Sequence, residues 1–234
     1  MGFQLQKEID SLKKGILSLL TVVEENVRMS VNALRKRDIG MARDVIGTDL
    51  KVDQMEVDLE EECLKILALH QPVANDLRFI ISVMKINSDL ERISDLAVNI
   101  AERAEFLATQ KPIDIRFDFE FMAEKVKDML KKSITALIAL NPRIAYDVCA
   151  ADDEVDALNR EMYTTIEQAV KQNPEDIKIL LHYLGATRTL ERIADHATNI
   201  AEDTIYMIEG RIVRHHVEDY QSQCLNREEK DLNG

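Results

Sequence analysis

The sequence predicts an all-α protein built from two copies of one three-helix unit, and three observations carry that prediction. Apolar residues recur at three-and-four spacing along nearly the whole chain, and no stretch alternates with the period of two that a half-buried strand needs. The composition is that of long helices: among 234 residues only 7 are Gly and 4 Pro, Trp is absent and aromatics make up 5%. The stretch DLERISDLAVNIAE at 89–102 also returns in nearly the same letters at 189–203 as TLERIADHATNIAED.

The breaks between helices come from residues that a helix interior rejects. Proline loses a backbone hydrogen bond and clashes with the preceding turn. Gly40 is read as the first break, setting a helix over 4–38 apart from one over 41–70. Pro72 separates that second helix from a third over 73–109. Pro112 lies before a fourth over 117–140, Pro142 before a fifth over 143–171, and Pro174 before a sixth over 175–209. The unit boundary is placed in ATQKPIDIRF at 108–117, giving a first bundle over 1–110, a second over 116–215 and a polar C-terminal tail over 216–234 whose end is expected to fray.

Aligning the halves by hand supports duplication. SVNAL at 30–34 matches SITAL at 133–137, and DLKVD at 49–53 matches DDEVD at 152–156, both at an offset of 103. The offset falls to 100 across the turn before the third helix of each half, where NDLRFI faces EDIKIL. A length change confined to a loop is what two copies of one unit leave behind.

The repeated stretch carries chemistry. At 100° per residue, Glu91, Asp95, Asn99 and Glu102 fall within one narrow stripe, while Leu90, Ile93, Ala97 and Ile100 lie on the opposite side. Glu191, Asp195, Asn199 and Glu202 repeat the stripe. The helix before each supplies another: Asp49, Asp53 and Glu56 in the first half, Asp152, Asp156 and Asn159 in the second. Like charges four apart destabilise a helix by about 0.2–0.5 kcal/mol, so a duplicated stripe of them needs a reason. Two such helices side by side make an all-oxygen cluster suited to Mg²⁺, Ca²⁺ or Mn²⁺, and several carboxylates also bridge iron. The competing readings are a solvated acidic face and plain ion pairs from Arg92 and Arg192, each three residues from a motif aspartate.

Other function classes find little support. A formal charge of −13 argues against a nucleic-acid footprint. None of the five histidines follows a Glu at three residues, as the carboxylate-bridged di-iron bundles require, and His196 reads as a packing residue. Phosphate loops and nucleophile elbows are missing. The three scattered cysteines suit a reducing compartment, and no apolar run spans a bilayer, so a cytoplasmic location is expected.

HQPVANDLRFIISVMKINSDLERISDLAVNIAE at 70–102, with TLERIADHATNIAEDTIYMIEGRIVRHH at 189–216, resembles the PhoU phosphate-uptake regulator family. The resemblance covers nearly the whole chain. It implies two tandem three-helix bundles related by pseudo-twofold symmetry. It implies metal ions (iron, zinc, manganese or magnesium) on Asp49, Asp53, Glu91 and Asp95 and on Asp152, Asp156, Glu191 and Asp195, with Glu56, Asn99 and Asn199 as further candidates. Ser94 and Ala194 replace the glycine of the family's E-R-I-G-D motif, which puts closer backbone approach by a partner in doubt. The implied function is a homodimeric, non-enzymatic negative regulator of the phosphate-starvation response that also modulates uptake. It would act as an adaptor between the phosphate ABC transporter ATPase and a membrane sensor histidine kinase. Two alternatives are an accessory subunit of another phosphate or metal transporter and, against the missing Glu-x-x-His, a carboxylate-bridged redox enzyme.

Overall fold

The computed structural model describes residues 2–113 and 119–213, and among them every regular element is helical. The order is α1 (Gly2–Lys36), α2 (Ile39–His70), α3 (Ala74–Ala108), α4 (Phe119–Ala139), α5 (Pro142–Gln172), one 3-10 turn over Pro174–Asp176, and α6 (Ile177–Glu209). The start expected for the fourth helix at 117, part of the expected boundary segment and the tail over 216–234 lie outside the described residues.

Helix ends follow local chemistry. The break expected at Gly40 falls instead at Arg37, which takes a left-handed conformation (φ 54°), and at Asp38, whose carboxylate accepts the Met41 N–H at 3.1 Å. Asp38 is thus an N-cap, and Gly40 sits inside the first turn of α2 because the cap has already been supplied. Arg37 donates to the carbonyls of Leu107 and Gln110, tying the end of α1 to the end of α3. Asn141 caps α5 in the same way, accepting from Arg143 at 3.0 Å, with Pro142 at the first helical position where its missing N–H costs nothing. Gly210 ends α6 in the left-handed conformation (φ 70°).

α1, α2 and α3 pack on one another, as do α4, α5 and α6, and α3 lies along α6 to join the halves. One large apolar core runs through both, with a smaller cluster of Ile166, Ala169 and Leu180 at the far end of α5. The duplication is visible in them. Ala42, Val45, Val52, Leu59, Cys63 and Ile66 are the buried face of α2, and at an offset of 103 Ala145, Val148, Val155, Met162, Ile166 and Ala169 are buried on α5. Leu90, Ile93, Ala97, Ile100 and Ala101 of α3 correspond at 100 to Leu190, Ile193, Ala197, Ile200 and Ala201 of α6, again all buried.

The seam between halves is polar in places. Lys85 reaches the buried Asp203 at 3.2 Å and lies 5.3 Å above the Tyr206 ring. At the positions related by the offset of 100, the Arg103 guanidinium occupies the space that a Cβ on Gly185 would need. Phe106 stacks on His182 with ring centroids 3.8 Å apart.

Candidate metal centre

Carboxylates three and four apart on α2 share a face, and the packing of α2 on α3 turns that face toward the stripe on the neighbouring helix. Asp49, Asp53 and Asp95 each place one carboxylate oxygen so that all three lie within 4.8 Å of one another. Asp49 and Asp95 are half-buried and Asp53 is exposed. One oxygen of Asp49, Oδ1, is shut off from solvent with no hydrogen-bond partner. Burial, then repulsion from Asp53, Asp95 and Glu102, pushes the Asp49 carboxyl above its ordinary range.

Glu91 and Glu56 adjoin this trio. Glu91 is raised by burial and by Asp95, with Arg92 opposing and Glu56 and Asp53 adding to the rise. Glu56 is raised by burial, then by Glu60 and Asp53. Asn99 turns its amide onto the Asp95 carbonyl at 3.0 Å, so its donor is spent on its own helix.

In the second half Asp152, Asp156, Glu191 and Asp195 form a looser group, and no second trio among the described residues meets the same distance. Their charges still interact. Burial, then Asp195, Asp156 and Asp153, lift the half-buried Asp152 to about 6. Glu191 and the more exposed Asp195 are also raised, burial first and neighbouring carboxylates second. Asn199 is drawn elsewhere: its amide donates to Asp89 of α3 at 3.3 Å, and the same oxygen takes the ring nitrogen of His196 at 2.7 Å. His196 is therefore a packing residue of the seam, as read from the sequence, with a partner in the other half.

The arginines answer only part of the charge. Arg92 stands 3.5 Å from both Asp95 and Glu91 and is largely exposed, so such pairs contribute about 0–1 kcal/mol. In the second half Arg160 lies 3.5 Å from Asp156, while Arg192 opposes the rise at Glu191 and at Asp195.

A polar clamp behind the first trio escaped the sequence reading. Asn26, buried on α1, donates to the Ser94 hydroxyl at 3.2 Å and accepts from the Thr48 hydroxyl at 3.0 Å. Those partners immediately precede Asp95 and Asp49. Further along, Asn87 of α3 donates to the backbone carbonyl of Glu56 at 2.8 Å. The register between α2 and α3 is thereby fixed by hydrogen bonds at both ends of the carboxylate face. The signal was a buried Asn on a stripe of α1 that is otherwise apolar apart from Ser30, whose hydroxyl is spent on the Val27 carbonyl of its own helix. The equivalent positions of the second half are Met129, Ala151 and Ala194, which pack without hydrogen-bonding side chains.

The PhoU domain model matches the chain twice, over residues 16–104 and 119–204. The chain is 39% identical to the phosphate-specific transport system accessory protein PhoU homolog of Aquifex aeolicus, covering 91% of this chain and 96% of that one. It is 34% identical to the homolog of Clostridium acetobutylicum, over 89% and 95%. Its fold matches the crystal structure of PhoU from Pseudomonas aeruginosa with a TM-score of 0.84 at 35% identity, covering 88% of this chain and 99% of that one. A second match is the phosphate transport system regulatory protein PhoU from Streptococcus pneumoniae, TM-score 0.80 at 27% identity, over 89% and 99%.

Proposed function

The chain belongs to the PhoU domain family, whose members are regulatory accessory proteins and not enzymes, and from that premise we propose that it regulates phosphate transport. It acts as a negative regulator of the phosphate-starvation response and a modulator of uptake, relaying the state of the phosphate ABC transporter ATPase to a sensor histidine kinase. The observation that carries this reading is end-to-end likeness, through both repeats, to proteins named for phosphate-specific transport. No described helix is long and apolar enough to cross a membrane. The protein works in the cytoplasm as a homodimer, peripheral to membrane complexes, and its charge of −13 gives it no attraction to nucleic acid.

The carboxylate face belongs to the same reading. An all-oxygen donor set, a buried Asp49 oxygen lacking a partner and carboxyls raised by burial and then by one another fit a hard divalent or trivalent cation. Asp49, Asp53 and Asp95 would hold it, with Glu91 and Glu56 adjoining, and Asp152, Asp156, Glu191 and Asp195 would offer a second, more open site. Bound metal would supply positive charge that locks α2 to α3.

The regulatory reading is tested by deleting the gene and following phosphate-responsive alkaline phosphatase in phosphate-rich medium. Expression should rise severalfold and return to baseline on complementation. Unchanged expression overturns the negative-regulator role.

A further inference from the structure

The outer face of α2 carries three apolar side chains seven residues apart, Leu50, Val57 and Leu64, which are 81%, 44% and 51% exposed. Seven-residue spacing keeps them on one line of the helix, the seam by which one helix accepts another. Within the described residues α2 packs on α1 and α3, and this line faces neither, since the residues it buries there are Ala42, Val45, Val52, Leu59, Cys63 and Ile66.

The duplicated fold supplies its own control. Every residue of that buried face has an apolar, buried counterpart on α5. The exposed line does not: at the same offset of 103, Leu50, Val57 and Leu64 become Asp153, Arg160 and Glu167, all exposed. One architecture is built with apolar residues at these positions in one copy and charged residues in the other. The leucines and valine are thus not needed for the bundle, and single exposed apolar residues would need no account, but an aligned set confined to one repeat does.

Charge selects the occupant. Asp53, Asp58, Glu60 and Glu61 border the line, against Lys51 and Lys65, and Lys65 is already paired with Glu62 at 3.1 Å. Asp49 and Asp95 extend the negative field past one edge. A second copy of α2 laid on this face would bring most of these carboxylates against their own equivalents. A helix with Lys or Arg flanking its apolar stripe meets opposite charge on both edges. From Leu50 to Leu64 the line spans about 21 Å at 1.5 Å per residue, so the matching helix has about four turns.

The geometry points to the Leu50–Val57–Leu64 line of α2 as a docking surface for a basic amphipathic helix of a protein partner. The inference deepens the adaptor reading, on which it rests, by giving that adaptor a contact face on its first repeat. The partner's apolar residues fill the line, and its basic residues pair with Asp58, Glu60 and Glu61.

The test uses the full chain in EDTA and a fluorescein-labelled 20-residue helical peptide with leucines at three-and-four spacing and lysines on both flanks. A second peptide carries Glu at every Lys position. The variant L50D/V57R/L64E installs the residues of the second repeat, so the architecture already tolerates them, and circular dichroism checks its fold. Fluorescence anisotropy should show the lysine peptide bound by the wild type, at least tenfold weaker binding by the variant, and no binding of the Glu peptide. Because the variant is one unit more acidic, attraction by bulk charge alone would leave its binding equal or stronger. That result overturns the proposal, as does absence of binding by the wild type. Light scattering that finds a wild-type dimer and a monomeric variant overturns it in favour of a self-association face. A phosphatase phenotype survives any of these failures, so the two readings fail separately.

Discussion

Asn26 donates its side-chain amide to the Ser94 hydroxyl at 3.2 Å, linking α1 to the helix that carries Asp95 at the level where the carboxylates converge. Its carbonyl oxygen takes the Thr48 hydroxyl at 3.0 Å, so a single buried residue sets both carboxylate-bearing helices. Buried amides whose partners are all present are stabilising and specify register; the same groups left unpaired cost about 1–3 kcal/mol each.

Asn26→Ala should therefore lower stability by about 1–3 kcal/mol, because it takes away the amide that the buried Ser94 hydroxyl accepts from, leaves the half-buried Thr48 hydroxyl only the Val45 carbonyl, and opens a cavity. The triple variant N26M/T48A/S94A copies the second repeat's Met129, Ala151 and Ala194 and should recover most of that loss. Urea unfolding measures both. If the clamp positions the carboxylates, the triple variant will still bind cation several-fold more weakly than the wild type. Equal affinity would reduce Asn26 to a packing residue.

The fold was largely legible because helix period, proline positions and the repeat all pointed the same way. The first break was misplaced by three residues, since Arg37 adopts a left-handed turn without being glycine and Asp38 caps the next helix. A helical wheel placed Asp95 on an outward stripe correctly. It could not say which oxygens meet, because that depends on the axial offset between α2 and α3, set by Asn26 and Asn87 on contacts 68 and 31 residues apart in sequence. For the same reason the wheel gave the two Asn residues one role. Asn99 folds back onto its own helix, and Asn199 is drawn to Asp89 because the other half lies beside it.

Cation binding should be measurable as stability. A ligand held by the native state alone at a hundred times its Kd raises stability by about 2.7 kcal/mol, so saturating Mn²⁺ or Mg²⁺ should shift the unfolding midpoint upward. Asp49→Asn with Asp95→Asn should abolish most of that shift. It should also raise Tm in EDTA, since it removes repulsion that burial makes costly at Asp49. Equal metal content in variant and wild type by elemental analysis would return the stripe to a solvated acidic face with ion pairs.

Asp152 gives the pH-dependent counterpart. Burial and then Asp195, Asp156 and Asp153 lift its carboxyl to about 6, with the Thr198 hydroxyl opposing, whereas the unfolded chain keeps it near the ordinary 3.8. The folded state then holds the proton more tightly, and stability falls as pH rises from about 4 through about 6. Above that window the folded protein carries the whole cost of an ionised, crowded carboxylate. Two pKa units correspond to about 3 kcal/mol, and screening at a half-buried site reduces this to about 1–2 kcal/mol. Asp152→Asn removes the charge, so the variant should exceed the wild type by that amount at pH 7.5 in EDTA and by about half of it or less near pH 4.5, where the folded carboxyl is still protonated and the unfolded one is partly so. Saturating Mn²⁺ should shrink the gap at pH 7.5, because the cation offsets the repulsion in the wild type and finds one ligand fewer in the variant. Chemical denaturation at the two pH values, with and without metal, reads all four corners. A gap that is independent of pH would mean that Asp152 keeps an ordinary carboxyl and that the second repeat's acidic group is spread too widely to interact.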